Sequence, residues 1–329
     1  MRLASALILL CCGFAHADKV VLVAGGGKGG VDGPANEAAI GQPFGLDFDK
    51  TGNMFIADYK DDKVWKVDTK GVLTVYAGTG KRGFAGDGGP ASEGQFNAMH
   101  DLIVADNGDV FMADSFNFRV RKIDAKTGKL STVVGTGEKK TTGDGGPGEK
   151  AGLDGVASLY FNADQSKMYM TGFSTVVRVL DMKTGIVETV KNLPGGRSVA
   201  VDEYGQVYVA GGTTLRWMKT DGTVKTLHDS TKAKTDDVKI GRNTKHLGVT
   251  AQNNILIADD FGHQIKIYAV KSQGVGVVAG TGKKGSKGIG GPPDKLELNA
   301  PHGVYFRRTT GEIYICDSMN NRVLKIEKD

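Results

Sequence analysis

From residue 43 onward the chain reads as short alternating runs of apolar and polar positions separated by polar turns. Leu46-Asp47-Phe48 passes through Gly52-Asn53 into Met54-Phe55-Ile56-Ala57-Asp58, and Val64-Trp65-Lys66-Val67-Asp68 follows. The same sentence returns as Leu102-Ile103-Val104, Gly108-Asp109, 110–114 and Arg119-Val120-Arg121-Lys122-Ile123. It returns again as Val304-Tyr305-Phe306, Gly311, 313–317 and Arg322-Val323-Leu324-Lys325-Ile326. Looser copies start at Leu159, Val199 and Leu247, which makes six repeats. Period-two alternation predicts strands with one buried face, and a sentence repeated at intervals of tens of residues predicts a repeat architecture.

A fourth apolar stretch ends most repeats, as in 73–80, 131–137 and 276–282, with plainer versions at 186–190 and 224–227. The sixth repeat has none before Asp329, but Lys19-Val20-Val21-Leu22-Val23-Ala24-Gly25-Gly26-Gly27 near the start of the chain matches the missing stretch. The pattern therefore predicts an all-β, six-bladed propeller of four-stranded antiparallel blades. Its ring closes when the N-terminal strand completes the last blade, which leaves only short protected edges.

Composition supports many tight turns: 49 Gly against 8 Pro, with 40% hydrophobic and 24% charged residues. Arg2, the apolar run 3–14 and Ala15-His16-Ala17 read as an export signal, too short to span a bilayer as a helix. The expected division is thus 1–17 as signal and 18–329 as a single propeller domain, exported to a periplasmic, extracellular or cell-surface location. Lipid anchoring through Cys12 is disfavoured, because Cys11 stands where a small residue is wanted. Two of three Cys leave with the signal, so Cys316 has no partner for an intramolecular disulfide. The net charge of +5 is scattered rather than interleaved with stacking aromatics, which argues against nucleic acid. No transmembrane segment is expected, and the expected state is a monomer.

The pattern Gly-Asn/Asp, three apolar residues, Ala-Asp, a short turn, then Asn-x-Arg-Val-x-Lys resembles the repeat of the NHL family of propellers. It is strongest at 52–68, 108–124 and 311–326, fair in the fifth repeat, and altered in the third and fourth, where Gly172 and Gly211 replace Asp. Asp58, Asp114, Asp259, Asp317, Arg119 and Arg322 are read as fold residues: Asp caps the turn after a strand, and Arg packs its stem while its head finds an acceptor. Gly-rich connections at 25–34, 78–90, 135–147 and 280–292 include two Gly-Asp-Gly-Gly-Pro segments, which resemble the long loops of bacterial NHL proteins. Ordered loops are the expected role. A phosphate cradle has no Gly-Lys-Ser/Thr to support it, and calcium would have a single carboxylate per loop, Asp87 or Asp144.

Propeller ligands meet the channel mouth, where first strands begin. One ring of equivalent positions is Phe44, His100, Ala157, Arg197, Lys245 and His302, and the next is Gly45, Asp101, Ser158, Ser198, His246 and Gly303. Candidate ligand-binding residues are therefore His100, Asp101, Arg197, Lys245, His246 and His302. The mouth could hold an anionic group of a protein, peptide or glycan through Arg197 and Lys245. It could hold a metal through His100, His302 and His246, or it could be a hydrated channel without a ligand.

Met99-His100-Asp101-Leu102 and Pro301-His302-Gly303-Val304 resemble the segments that carry the zinc histidines of the peptide α-amidating lyase propeller. That enzyme has three such segments and this chain two, with His246 one position out of register. Lactonase-type propellers use carboxylates and Asn around calcium, and here Asp101 is the sole first-strand carboxylate of these rings. No catalytic residue set is readable, and no cofactor is predicted, with zinc or calcium as the option. The leading expectation is a non-enzymatic binding or scaffold module, and the alternative is a metal-dependent lyase or lactonase-like enzyme at the channel.

Overall fold

A computed structural model describes residues 18–233, 239–240 and 244–328; the segment 1–17, read as an export signal, lies outside them. The described residues form six antiparallel sheets of four strands, two of them widened by a two-residue strand at Gly33–Pro34 or Gly146–Pro147. The first blade is built from Pro43–Phe48, Met54–Asp58, Lys63–Val67 and Val72–Ala77. The second uses Met99–Val104, Val110–Asp114, Arg119–Ile123 and Leu130–Val134. The first strands of the third, fourth and fifth blades are Val156–Phe161, Ser198–Val201 and Thr244–Val249.

In the sixth blade Gly303–Arg307, Glu312–Asp317 and Arg322–Glu327 supply three strands, and Lys19–Gly25 adds the fourth. That strand runs antiparallel to Arg322–Glu327, from Lys19 opposite Glu327 to Gly25 opposite Arg322. The ring closes as expected.

The core lies between blades. One buried cluster joins Phe55, Ala57, Val64 and Ala77 of the first blade to Met99, Leu102, Val110 and Met112 of the second. Five further clusters repeat this arrangement around the ring. A blade alone would leave both sheet faces wet, so the repeats stabilise one another by stacking.

The recurring Asp ties a blade to the loop entering it. Asp58 accepts the Gly41 and Gln42 N–H groups, the Lys60 and Asp61 N–H groups and the Trp65 indole. Asp114 and Asp317 accept the N–H groups of Asn97 and Asn299 in the same way. Arg322 meets Asp317 at 2.7 Å as expected, but Arg119 donates to the Asn117 and Thr136 carbonyls instead. In the second blade the guanidinium near Asp114 belongs to Arg121, at 3.3 Å. Lys266 fills that place beside Asp259, at 2.9 Å.

Candidate functional site at the channel mouth

Register breaks build the site. Pairing of the first two strands skips from Met99 to Leu102 in the second blade and from Thr244 to Leu247 in the fifth. An unbroken strand sends successive side chains to opposite faces. These bulges instead turn His100 with Asp101, and Lys245 with His246, toward the channel. The two rings of positions expected from the sequence are therefore two layers of one site.

The upper layer is aromatic and cationic. His302 stacks on Phe44 at 3.7 Å between ring centroids, and His100 meets the edge of Phe44 at 5.3 Å. His100 also packs against Tyr59, Phe116 and Phe173. The Arg197 guanidinium lies over Phe173 at 4.1 Å, and Lys245 sits 3.4 Å from Asp260. Among the described residues, no carboxylate lies within ion-pair distance of Arg197.

Burial decides the charge states here. His100 is pushed down to about 3 by desolvation, with Arg197 and Lys245 acting in the same direction against the hydrogen bond to Ala98. His302 falls well below the ordinary histidine value, first through burial and then through Lys245. Arg197 is lowered by burial to about 10, which leaves it cationic at neutral pH. The mouth thus presents two neutral imidazoles and two cations, with Asp260 paired to Lys245 and acting at longer range on Arg197.

The lower layer joins blades. Asp101 accepts the Leu102 N–H and, from the next blade, the Leu159 N–H at 2.9 Å each. The Val199 N–H donates to Ser158, the Leu247 N–H donates to Ser198, and His246 Nδ1 meets the Val304 carbonyl at 2.9 Å. Ser318 Oγ donates to the Pro43 carbonyl at 2.6 Å and closes the circuit. His246 Nε2 lies 3.5 Å from Asp101. Gly45 leaves room for this bar, since a Cβ there would meet Asp101 Oδ1 at 2.5 Å.

Two expectations change. His246 lies a layer below His100 and His302 and is engaged by Asp101 and Val304, so the three do not make a ligand triad. Among the described residues no group of three or more His, Cys, Asp or Glu side chains is placed to hold a metal. The calcium option at the Gly-rich loops also meets occupied carboxylates. Asp87 accepts Arg121 at 2.7 Å and the Thr132 hydroxyl, and Asp144 accepts Arg178 at 2.8 Å and the Thr189 hydroxyl. These loops are stapled to their blades by arginine.

The sequence reading missed the rim. Phe116, Phe173, Phe261 and Met319 follow the second strands, on the same face as the mouth, and are 43, 44, 69 and 43% exposed. Phe116 and Phe173 stack at 5.6 Å. The available signal was an apolar residue one or two places after the motif's Asp or Gly, where a turn ordinarily carries polar residues.

No protein-family model matches the chain. Human NHL repeat-containing protein 2 is 24% identical over 286 residues, which covers 70% of this chain and 39% of the relative. The chicken protein of that name is 22% identical and covers 92% of this chain and 41% of the relative. The chain thus spans about two-fifths of the length of these relatives. A solved structure from Bacteroides thetaiotaomicron, described as an auxiliary nutrient binding protein, superposes with TM-score 0.70 at 12% identity, covering 94% of this chain and 76% of its own.

The protein is a six-bladed propeller whose repeats are similar to those of NHL repeat-containing proteins.

Virginiamycin B lyase from Staphylococcus aureus shares the propeller fold with TM-score 0.57 at 11% identity, covering 88% of this chain and 95% of its own. At such identities the likeness speaks for architecture, and function belongs to the site. No helix among the described residues of this propeller is long and apolar enough to cross a membrane.

Proposed function

We propose that this propeller is an exported binding module that holds an anionic group of a protein, peptide or glycan partner at its upper channel mouth. The observation that carries the reading is Arg197, a partly buried cation lying over Phe173 with no carboxylate in ion-pair distance among the described residues. An incoming anion would return the solvation that burial removes. Lys245 adds a second cation, and Phe116, Phe173 and Phe261 offer exposed ring faces for a sugar or an apolar side chain. A structural neighbour described as a nutrient binding protein agrees with a binding role.

The test is an array of acidic peptides and uronate-bearing glycans probed with the purified protein and with Arg197→Ala. Selective capture of acidic ligands that the variant loses supports the reading. Equal capture of neutral ligands, or no effect of the substitution, sinks it.

A metal-dependent lyase or lactonase-like activity is the second reading, favoured by one feature. His100 Nδ1 faces the Ala98 carbonyl at 2.9 Å and His302 Nδ1 the Ala300 carbonyl at 3.3 Å. Such contacts keep Nε2 as the free acceptor, the usual preparation of a metal-ligating imidazole. Two imidazoles fall short of the three protein ligands of a catalytic zinc site, and no step is derived through a metal. Zinc or calcium found by elemental analysis of the purified protein, and lost in His302→Ala, would support this reading over the first.

A further inference from the structure

The channel has a second end. Below the Asp101–His246 bar lies a cavity of about 640 Å³ to which all six blades contribute, through Asp47, Leu102, Tyr160, Val201, Gly248 and Tyr305 among others. Its walls are first-strand residues and its outlet is made by the turns between first and second strands. Of the two layers at the mouth, the cavity shares only His246 of the bar.

We propose that this lower cavity is a separate site for a small protonated amine with an apolar or aromatic body, held by the Asp47 carboxylate between tyrosine rings. Asp47 is placed by its own blade and by the next one. Oδ1 accepts the Phe48 N–H and Oδ2 the Val104 N–H, each at 2.7 Å, and the Tyr305 hydroxyl is a third donor. A carboxylate accepts about four hydrogen bonds, so one position remains for a ligand ammonium.

The surroundings favour a cation. Tyr160 and Tyr305 are aromatic walls on opposite blades, and Phe48 stands beside them. Arg307 already lies over Phe48 at 4.5 Å, which shows that a cation is accommodated against these rings. At the outlet Asp49, Asp106, Asp202 and Glu203 outnumber Lys50, Arg307 and Arg308. That excess draws cations and repels carboxylates. Burial agrees with the geometry: desolvation raises Asp47 to about 6 against its hydrogen bonds, and an ammonium beside it would lower it again.

The experiment is calorimetric and NMR titration of the whole protein with benzylamine, benzyl alcohol and benzoate. The expected result is saturable benzylamine binding that perturbs Tyr160 and Tyr305, at least about tenfold tighter than either comparison compound at that site. Asp47→Asn should weaken it by about the same factor while leaving ligand capture at the upper mouth intact. Because that variant disturbs an inter-blade hydrogen bond, Tyr160→Leu is the second test: it removes an aromatic wall that makes none of the Asp47 hydrogen bonds and should also weaken amine binding. No benzylamine binding, equal binding of the three compounds at the lower cavity, or wild-type affinity in folded Asp47→Asn would overturn the proposal. Arg197→Ala should leave amine binding unchanged, so the two sites fail or stand independently.

Discussion

Asp101 and His246 come from blades three places apart in the ring, yet their side chains meet across the channel with Nε2 3.5 Å from a carboxylate oxygen. The pair bars the channel and divides it into an upper mouth and a lower cavity. It also belongs to the hydrogen-bond circuit that joins each first strand to the next.

This contact makes stability depend on pH. Burial lowers the His246 value, but Asp101 beside it, with the Val304 carbonyl, outweighs burial and raises it overall. A histidine raised in the folded state contributes stability that is complete below its unfolded value of 6.5 and fades as pH rises through the folded value. Urea unfolding should therefore show greater stability near pH 6 than near pH 8.5, with the difference reduced in His246→Asn by an amount on the order of 1 kcal/mol. An unchanged pH slope in that variant would show that the pair does not titrate.

Arg121 is fully buried between Asp114 and Asp87. Removing Arg121 leaves the fully buried Asp114 carboxylate without its cation, whereas removing the part-exposed Asp87 leaves Arg121 paired with Asp114. Arg121→Met should cost about 3–5 kcal/mol in chemical denaturation and Asp87→Ala distinctly less. Equal losses would mean that packing, rather than charge, dominates the site.

The mouth histidines are neutral in the folded protein, His100 at about 3 and His302 well below its ordinary value. Capture of an anion there should stay nearly constant between about pH 5.5 and 8 and weaken at alkaline pH as Lys245, itself lowered by burial, and Arg197, at about 10, lose their protons. A midpoint near the ordinary histidine value would instead assign the anion to an imidazolium.

The strand Lys19–Gly25 supplies Val20 and Ala24 to two different inter-blade clusters. A protein beginning at residue 26 would expose the edge of Arg322–Glu327 and should aggregate or unfold in more than one step. Cooperative unfolding equal to that of the full chain would show that the ring does not depend on this clasp.

Much of the fold was legible because alternation, the repeated Asp and the orphan strand at the start all concern one strand or one turn at a time. The upper site was legible in part: counting from the motif found His100, Arg197, Lys245 and His302 as the positions where repeats differ. The bulges were not readable, since a register break depends on the facing strand and leaves no mark in the alternation of its own. For that reason Asp101 and His246 were grouped with the ligand-binding residues, although their polar atoms are spent between blades. The Asp47 cavity was missed for a related cause. Asp47 sits in an alternating strand like any outward polar residue, and only ring closure brings it beside Tyr305.

The central claim is that the upper mouth binds anions through Arg197, and benzoate is its most direct probe, because it offers one carboxylate and one ring. An NMR titration of the purified protein should give saturable shifts confined to Arg197, Phe173 and His100 at that mouth, absent in Arg197→Ala. Shifts that never saturate, or a variant that binds benzoate as tightly as the wild type, would contradict the account.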